Sequence, residues 1–378
     1  MISSPLWYLF ALASLAAFIT LVEQKSKLKI FKFIPAVVMI YIFSMTLASL
    51  GFFEQNEAID AIYENTKKNL LPAMLFLMLL QIDFMDFFKL GKSLLIAYLL
   101  AVLSLAFSFM LISFVFDFNK EMASAFGALS GSWMGGVANM IAVGSALNVS
   151  QEAFGYALIV DSVNYTIWIM FLLFLTPFAH YFNNFTSSQE QMAKLSSIGC
   201  SCTIGAKRYW FLILLSILVA FVVNLIAQSG FALLNYTTTT VVLATLFGVL
   251  GSFTRLKSIN GSSEVATTML YMLIALIGSK ALFENFSGVG IYVFAGFCIL
   301  LTHALVMVIG AKIFKLDLFS IAIASLSNIG GVASASILAA TYNKALVGVG
   351  VLMAIMGYLV GTFGGLAVGK IMIWMVGY

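Results

Sequence analysis

The sequence predicts an all-α polytopic membrane protein of two inverted repeats, each with five spans and a re-entrant hairpin or broken helix, forming a core domain and a scaffold domain. Three observations carry this expectation. Of 378 residues, 62% are hydrophobic and 9% are charged, against about 25% charged in soluble domains. The apolar residues gather in stretches of membrane-crossing length. The second half of the chain also repeats a small-residue pattern of the first at a fixed offset.

This composition excludes a soluble enzyme, because a water-facing surface cannot be assembled from it. No H-E-x-x-H, Gly-x-Ser-x-Gly or paired Ser-His motif is present, so the chain is not read as an enzyme. The net charge of +4 is spread over short connections, where cations set topology rather than bind nucleic acid. Cys200 and Cys202 share a polar loop and read as a chance pair.

Ten stretches are long enough to span: 5–23, 31–53, 70–88, 93–116 and 151–180, then 208–227, 233–253, 265–283, 288–311 and 345–376. Two more, 121–149 and 317–343, are apolar but interrupted, by SGSWMGGVANM and SLSNIGGVASAS. The polar connection 184–207, read as a cytoplasmic linker, separates a first repeat, 1–183, from a second, 208–378. The first apolar stretch has its lysines after it rather than before it, which predicts a retained span with the N-terminus outside. The C-terminus is expected outside as well.

Shifting the sequence by 195 residues places Ser130, Ser132, Gly135, Gly136, Val137 and Ala138 on Ser325, Ser327, Gly330, Gly331, Val332 and Ala333. Identities centred on two corresponding helix breaks point to internal duplication. Lysine and arginine placement chooses the orientation. If both interrupted stretches cross, 8 of the 19 cationic residues lie inside, against the positive-inside rule. If both fold back, 14 lie inside, and only Lys67, Lys68, Lys120, Lys280 and Lys370 remain outside. Hairpins and inverted halves follow, with two Gly-Gly tips meeting near the midplane.

Non-helical backbone at that depth is tolerated only where protein buries it or a cavity waters it. Substrate-binding candidates are Trp133, Gly135, Gly136, Asn139, Asn328, Gly330, Gly331 and Ser334. Ion-coupling candidates are Asp161, Asn164, Ser130, Ser132, Ser325 and Ser327, with Na⁺ expected at Ser132, Asn139 and Asp161. Hydroxyl and amide oxygens suit a hard cation. Asp161, about ten residues into a span, is the strongest single candidate, because a carboxylate at that depth marks an ion or proton path. His303 is a weaker candidate, for a proton relay. Asn224 and Gln81 read as interhelical bonds. Both arginines, Arg208 and Arg255, fall at expected cytoplasmic ends, so no guanidinium clamp awaits an anion at the midplane.

At GSWMGGVANM, SNIGGVASAS and DSVNY the chain resembles the YjcL-like bacterial membrane family, domain-of-unknown-function family 819, over essentially its whole length. The resemblance implies membership of the cation:proton antiporter and anion transporter superfamily. That in turn implies inverted repeats, crossed hairpins or broken helices, a mobile core, a dimerising scaffold and a bacterial inner-membrane location. The tips are also similar to those of bacterial sodium:glutamate and sodium:citrate symporters. The family transfers no substrate residue. The paired aspartates of sodium:proton antiporters are half matched here, since Ser162 follows Asp161.

The expected function is Na⁺- or H⁺-coupled symport of a small organic solute, by a homodimer in the lipid bilayer without an organic cofactor. The alternatives are a cation:proton antiporter and a non-transporting membrane assembly factor.

Overall fold

A computed structural model describes residues 1–25, 36–54, 56–80, 90–188, 205–229, 236–280, 288–343 and 346–377. Among them every element is helical, apart from one bridge between Ile2 and Phe53. The first half contributes α1 (Pro5–Lys25), α2 (Ala36–Ser49), α3 (Glu57–Leu79), α4 (Lys92–Val115), α5 (Lys120–Gly135), α6 (Val137–Ala146), α7 (Gln151–Leu175) and α8 (Ala179–Thr186). The second contributes α9 (Ala206–Gln228), α10 (Tyr236–Ser252), α11 (Ser262–Gly278), α12 (Val289–Phe314), α13 (Leu318–Ile329), α14 (Gly331–Tyr342) and α15 (Val347–Val376).

Among the described residues six helical segments are long and apolar enough to cross a bilayer: Pro5–Glu23, Lys92–Val115, Gln151–Thr186, Ala206–Gln228, Val289–Phe314 and Val347–Val376. The chain is an all-α membrane protein. The other four expected spans, 31–53, 70–88, 233–253 and 265–283, run into residues outside the described set, as do Gln81, Cys200 and Cys202. Two boundaries differ from the sequence reading. Helix α3 starts at Glu57, well before 70, because Asn56 accepts the Ile59 N–H at 2.9 Å and two acidic residues occupy its first turn. Helix α8 carries the crossing segment that starts at Gln151 on to Thr186, past the expected span end at 180 and into the residues read as linker, because its amphipathic sequence AHYFNNFT lacks the run of apolar residues by which spans are read.

The described helices fall into two compact units, each drawing on both halves of the sequence. The first comprises Met1–Gln81, Asn148–Ser162 and Thr203–Gly290. Here α3 packs on α9, α10 and α11, and α2 packs on α11. Small residues permit the close crossings: a Cβ on Gly278 would lie 2.7 Å from Tyr41 O, and one on Gly248 would lie 3.0 Å from Phe76 O. Asn224 joins three elements, donating to Lys68 O and Asn69 Oδ1 and accepting from the Tyr236 hydroxyl at 2.6 Å. That is the interhelical bond expected of it.

The second unit comprises Ile82–Leu147, Val163–Cys202 and Ile291–Tyr378. It holds both interrupted stretches, and each is a helical hairpin. A Cβ on Gly127 would touch Leu147, twenty positions on, and one on Gly131 would touch Val143; a continuous helix would separate the first pair by about 30 Å. In the second hairpin the Phe319 and Tyr342 rings, from opposite limbs, lie 5.1 Å apart. The tips need glycine, since Gly136 has φ +88° and Gly331 φ +70°. The entering limbs are capped alike: Asn119 accepts from Met122 N at 2.8 Å and Asp317 from Ser320 N at 2.6 Å. Helix α15 packs against both hairpins.

Candidate functional site

The first tip is closed by α15. Glycines four residues apart on α5 (Gly127, Gly131, Gly135) meet glycines four apart on α15 (Gly369, Gly365, Gly361). A Cβ on Gly365 would lie 2.6 Å from Gly131 Cα, and one on Gly361 would lie 2.8 Å from Gly135 Cα. The backbones are therefore in contact along three successive turns, as in small-xxx-small packing. Asn139 fastens this crossing: its amide donates to Gly135 O at 2.8 Å and Gly357 O at 3.4 Å, and its Oδ1 accepts from Thr362 Oγ1 at 2.6 Å. Ser130 donates to Gly127 O at 2.7 Å. Trp133 is fully buried, its ring 5.4 Å from that of Phe109, and Ser132 is buried with its carbonyl receiving the Gly136 N–H.

At the second tip α7 supplies the facing groups. A Cβ on Gly330 would lie 2.6 Å from the Tyr165 ring, and Trp168, one turn on, donates its indole N–H to Ser325 Oγ at 2.9 Å. Asn164 donates to Val293 O on α12 at 3.2 Å. Ser327 donates to Ala324 O at 3.0 Å and Ser334 to Gly331 O at 3.2 Å, so each hydroxyl keeps lone pairs for an acceptor role. Asn328 is fully buried; its Nδ2 donates to Ala324 O at 2.8 Å, while its Oδ1 has no hydrogen-bond partner among the described residues. A buried carbonyl oxygen left unpaired costs about 1–3 kcal/mol. It lies in the last turn of α13, where helix carbonyls add negative potential.

Behind this tip His303 joins α4, α12 and α13. Its Nε2 lies 2.8 Å from Ser325 Oγ and its Nδ1 lies 2.7 Å from Ser104 Oγ. Ser104 gives its own proton to Ala101 O at 2.9 Å, so it must accept from Nδ1–H. Nε2 is then the acceptor for Ser325, which in turn accepts from Trp168. The chain Trp168–Ser325–His303–Ser104 is directional and complete with a neutral imidazole.

Asp161 lies on α7 one turn before Tyr165 and two before Trp168, so the three share a helix face. It belongs to the first compact unit, as one of the last residues of its α7 segment, whereas Ser132 and Asn139 belong to the second. The sequence reading missed Thr362, Trp168, Ser104 and the two glycine ladders. The ladders were visible as four-residue glycine spacing; Thr362 and Ser104 carry no local signal, because only the fold gives them partners.

No curated protein is similar enough to the chain to count as a relative. The family profile described as "Protein of unknown function (DUF819)" matches residues 10–375. With nearly the whole chain covered, the protein belongs to the DUF819 family.

Proposed function

We infer that the protein is a secondary transporter, coupled to Na⁺ or H⁺, that moves a small organic solute across a bacterial inner membrane by alternating access. The observation that carries this reading is the pair of glycine-broken helical hairpins in one unit, both packed on α15. Irregular backbone inside hydrocarbon costs several kcal/mol per unpaired group, and a fold that keeps two such breaks gains by binding something there. The breaks at Gly136 and Gly331 stand 195 residues apart, which supports a duplication. The cation count supports opposite entry of the two hairpins.

The geometry redistributes the expected roles. Asn139 is committed to α15, so it is a poor ligand for a coupling ion. The second tip is the better one: Asn328 Oδ1 offers an unpaired oxygen to a cation, at the helix end where carbonyls add negative potential. Asp161 is retained as an ion-coupling candidate on its depth in the span alone. Solute uptake into proteoliposomes, screened over a broad metabolite panel with and without a sodium gradient, tests this. Gradient-dependent uptake supports symport. Sodium-driven pH change without solute points to antiport instead, and uptake unaffected by Asp161→Asn removes that residue from the mechanism.

A further inference from the structure

On the second unit, α7, α8, α12 and α13 enclose a groove of about 430 Å³, within the usual range of about 300–1,000 Å³ for small-molecule sites. Its outer wall is aromatic, including Phe171, Phe178, Tyr181 and Phe185, which are 43%, 45%, 73% and 52% exposed on an apolar span. Its inner wall is Trp168 and Ser325. Those two offer little to a polar guest, because the indole proton goes to Ser325 and the Ser325 proton to His303.

Among the described residues, charge enters at the mouth. Lys312, in the last turn of α12, donates to Phe185 O and holds its Nζ 4.7 Å from the Phe185 ring centroid. One of its three ammonium donors is used in this way. Exposed Lys315 follows in the turn that ends the helix. The nearest acid in sequence, Asp317, is buried and spent on capping Ser320 through both carboxylate oxygens. His180 pairs with Asn184 at 3.1 Å. The lining residues Ala304, Met307 and Val308 precede Lys312 by one to two turns, about 6–12 Å deeper along α12. Cations at the end of an apolar helix and a tyrosine beside them mark the headgroup level.

The geometry points to a binding site for one anionic phospholipid, its acyl chain in the groove against Trp168 and its phosphate at Lys312. A neutral apolar solute would leave the lysine unused, and a polar solute would meet a wall with no free donors.

Trp168 is the built-in reporter. With exposed Trp7, Trp210 and Trp374 changed to Phe, the protein is placed in phosphatidylcholine vesicles containing increasing brominated phosphatidylglycerol, and tryptophan fluorescence is read. The site predicts a saturable quenching phase at low mole fraction, absent when the brominated lipid is phosphatidylcholine. Lys312→Gln moves its midpoint up about fivefold, from one headgroup attraction of ordinary size. Ala304→Phe, filling the groove, abolishes the phase. Quenching that merely tracks mole fraction, that is equal for the two lipids, that is unchanged in Lys312→Gln, or that does not occur at all overturns the assignment.

Discussion

At the first hairpin, Gly127, Gly131 and Gly135 bring α5 backbone to backbone with α15, and both ends of the Asn139 amide are used. At the second hairpin the tip glycine faces the Tyr165 ring of α7, and the carbonyl of a fully buried Asn328 is left unpaired. The two share a break, a left-handed glycine and a capped entering limb, yet one spends its polarity on packing and the other keeps it available. On the proposed reading, the first hairpin holds the fold and the second offers the ligand site.

Substitutions can test this division. The largest effect is expected at Gly365→Leu, where the side chain must enter space held by the Gly131 backbone; overpacking there costs about 3 kcal/mol or more, read as a lowered unfolding temperature in detergent. Asn139→Ala removes the bonds to Gly135 O and Gly357 O, leaves Thr362 only its 3.4 Å bond to Tyr358 O, and costs about 2 kcal/mol, equally with and without sodium. A sodium-dependent loss at Asn139 would put a ligand at the first tip and break the comparison.

Gly331→Ala meets nothing within 4 Å and pays only for its positive φ, about 1 kcal/mol. If it proves as damaging as Gly365→Leu, the second tip is packed as tightly as the first. Asn328→Ala is expected to change sodium-free stability least, by about 0.5 kcal/mol, since it also removes an unsatisfied group. It should nonetheless abolish any upward shift of unfolding temperature by sodium chloride over choline chloride. A wild-type shift that survives in Asn328→Ala places the cation elsewhere.

Much of the fold was legible in advance because hydrocarbon imposes a coarse rule. Helix bounds at Lys92–Val115 and Val289–Phe314 fall within a few residues of the apolar stretches 93–116 and 288–311, and both interrupted stretches broke at their Gly-Gly pairs. The start of α3 was less legible, since EAIDAIYENTKKN is too polar to read as part of a span and its helix depends on a cap and tertiary support. At the site, residue type pointed to the right neighbourhood but not to the bonds made there. Asn139 and Asn328 read alike as amides beside a break, and only Thr362 and Gly357, more than two hundred residues from Asn139, tell them apart.

The transport reading rests on the two hairpins entering from opposite faces, and site-directed labelling addresses that directly. Asn148 and Asn343 are exposed at the open ends of the hairpins. Each is replaced singly by cysteine in a chain with its native cysteines removed, and intact and permeabilised cells are treated with a membrane-impermeant maleimide. The account predicts labelling of Asn148→Cys in intact cells and of Asn343→Cys only after permeabilisation. Labelling of both from the same side would contradict it.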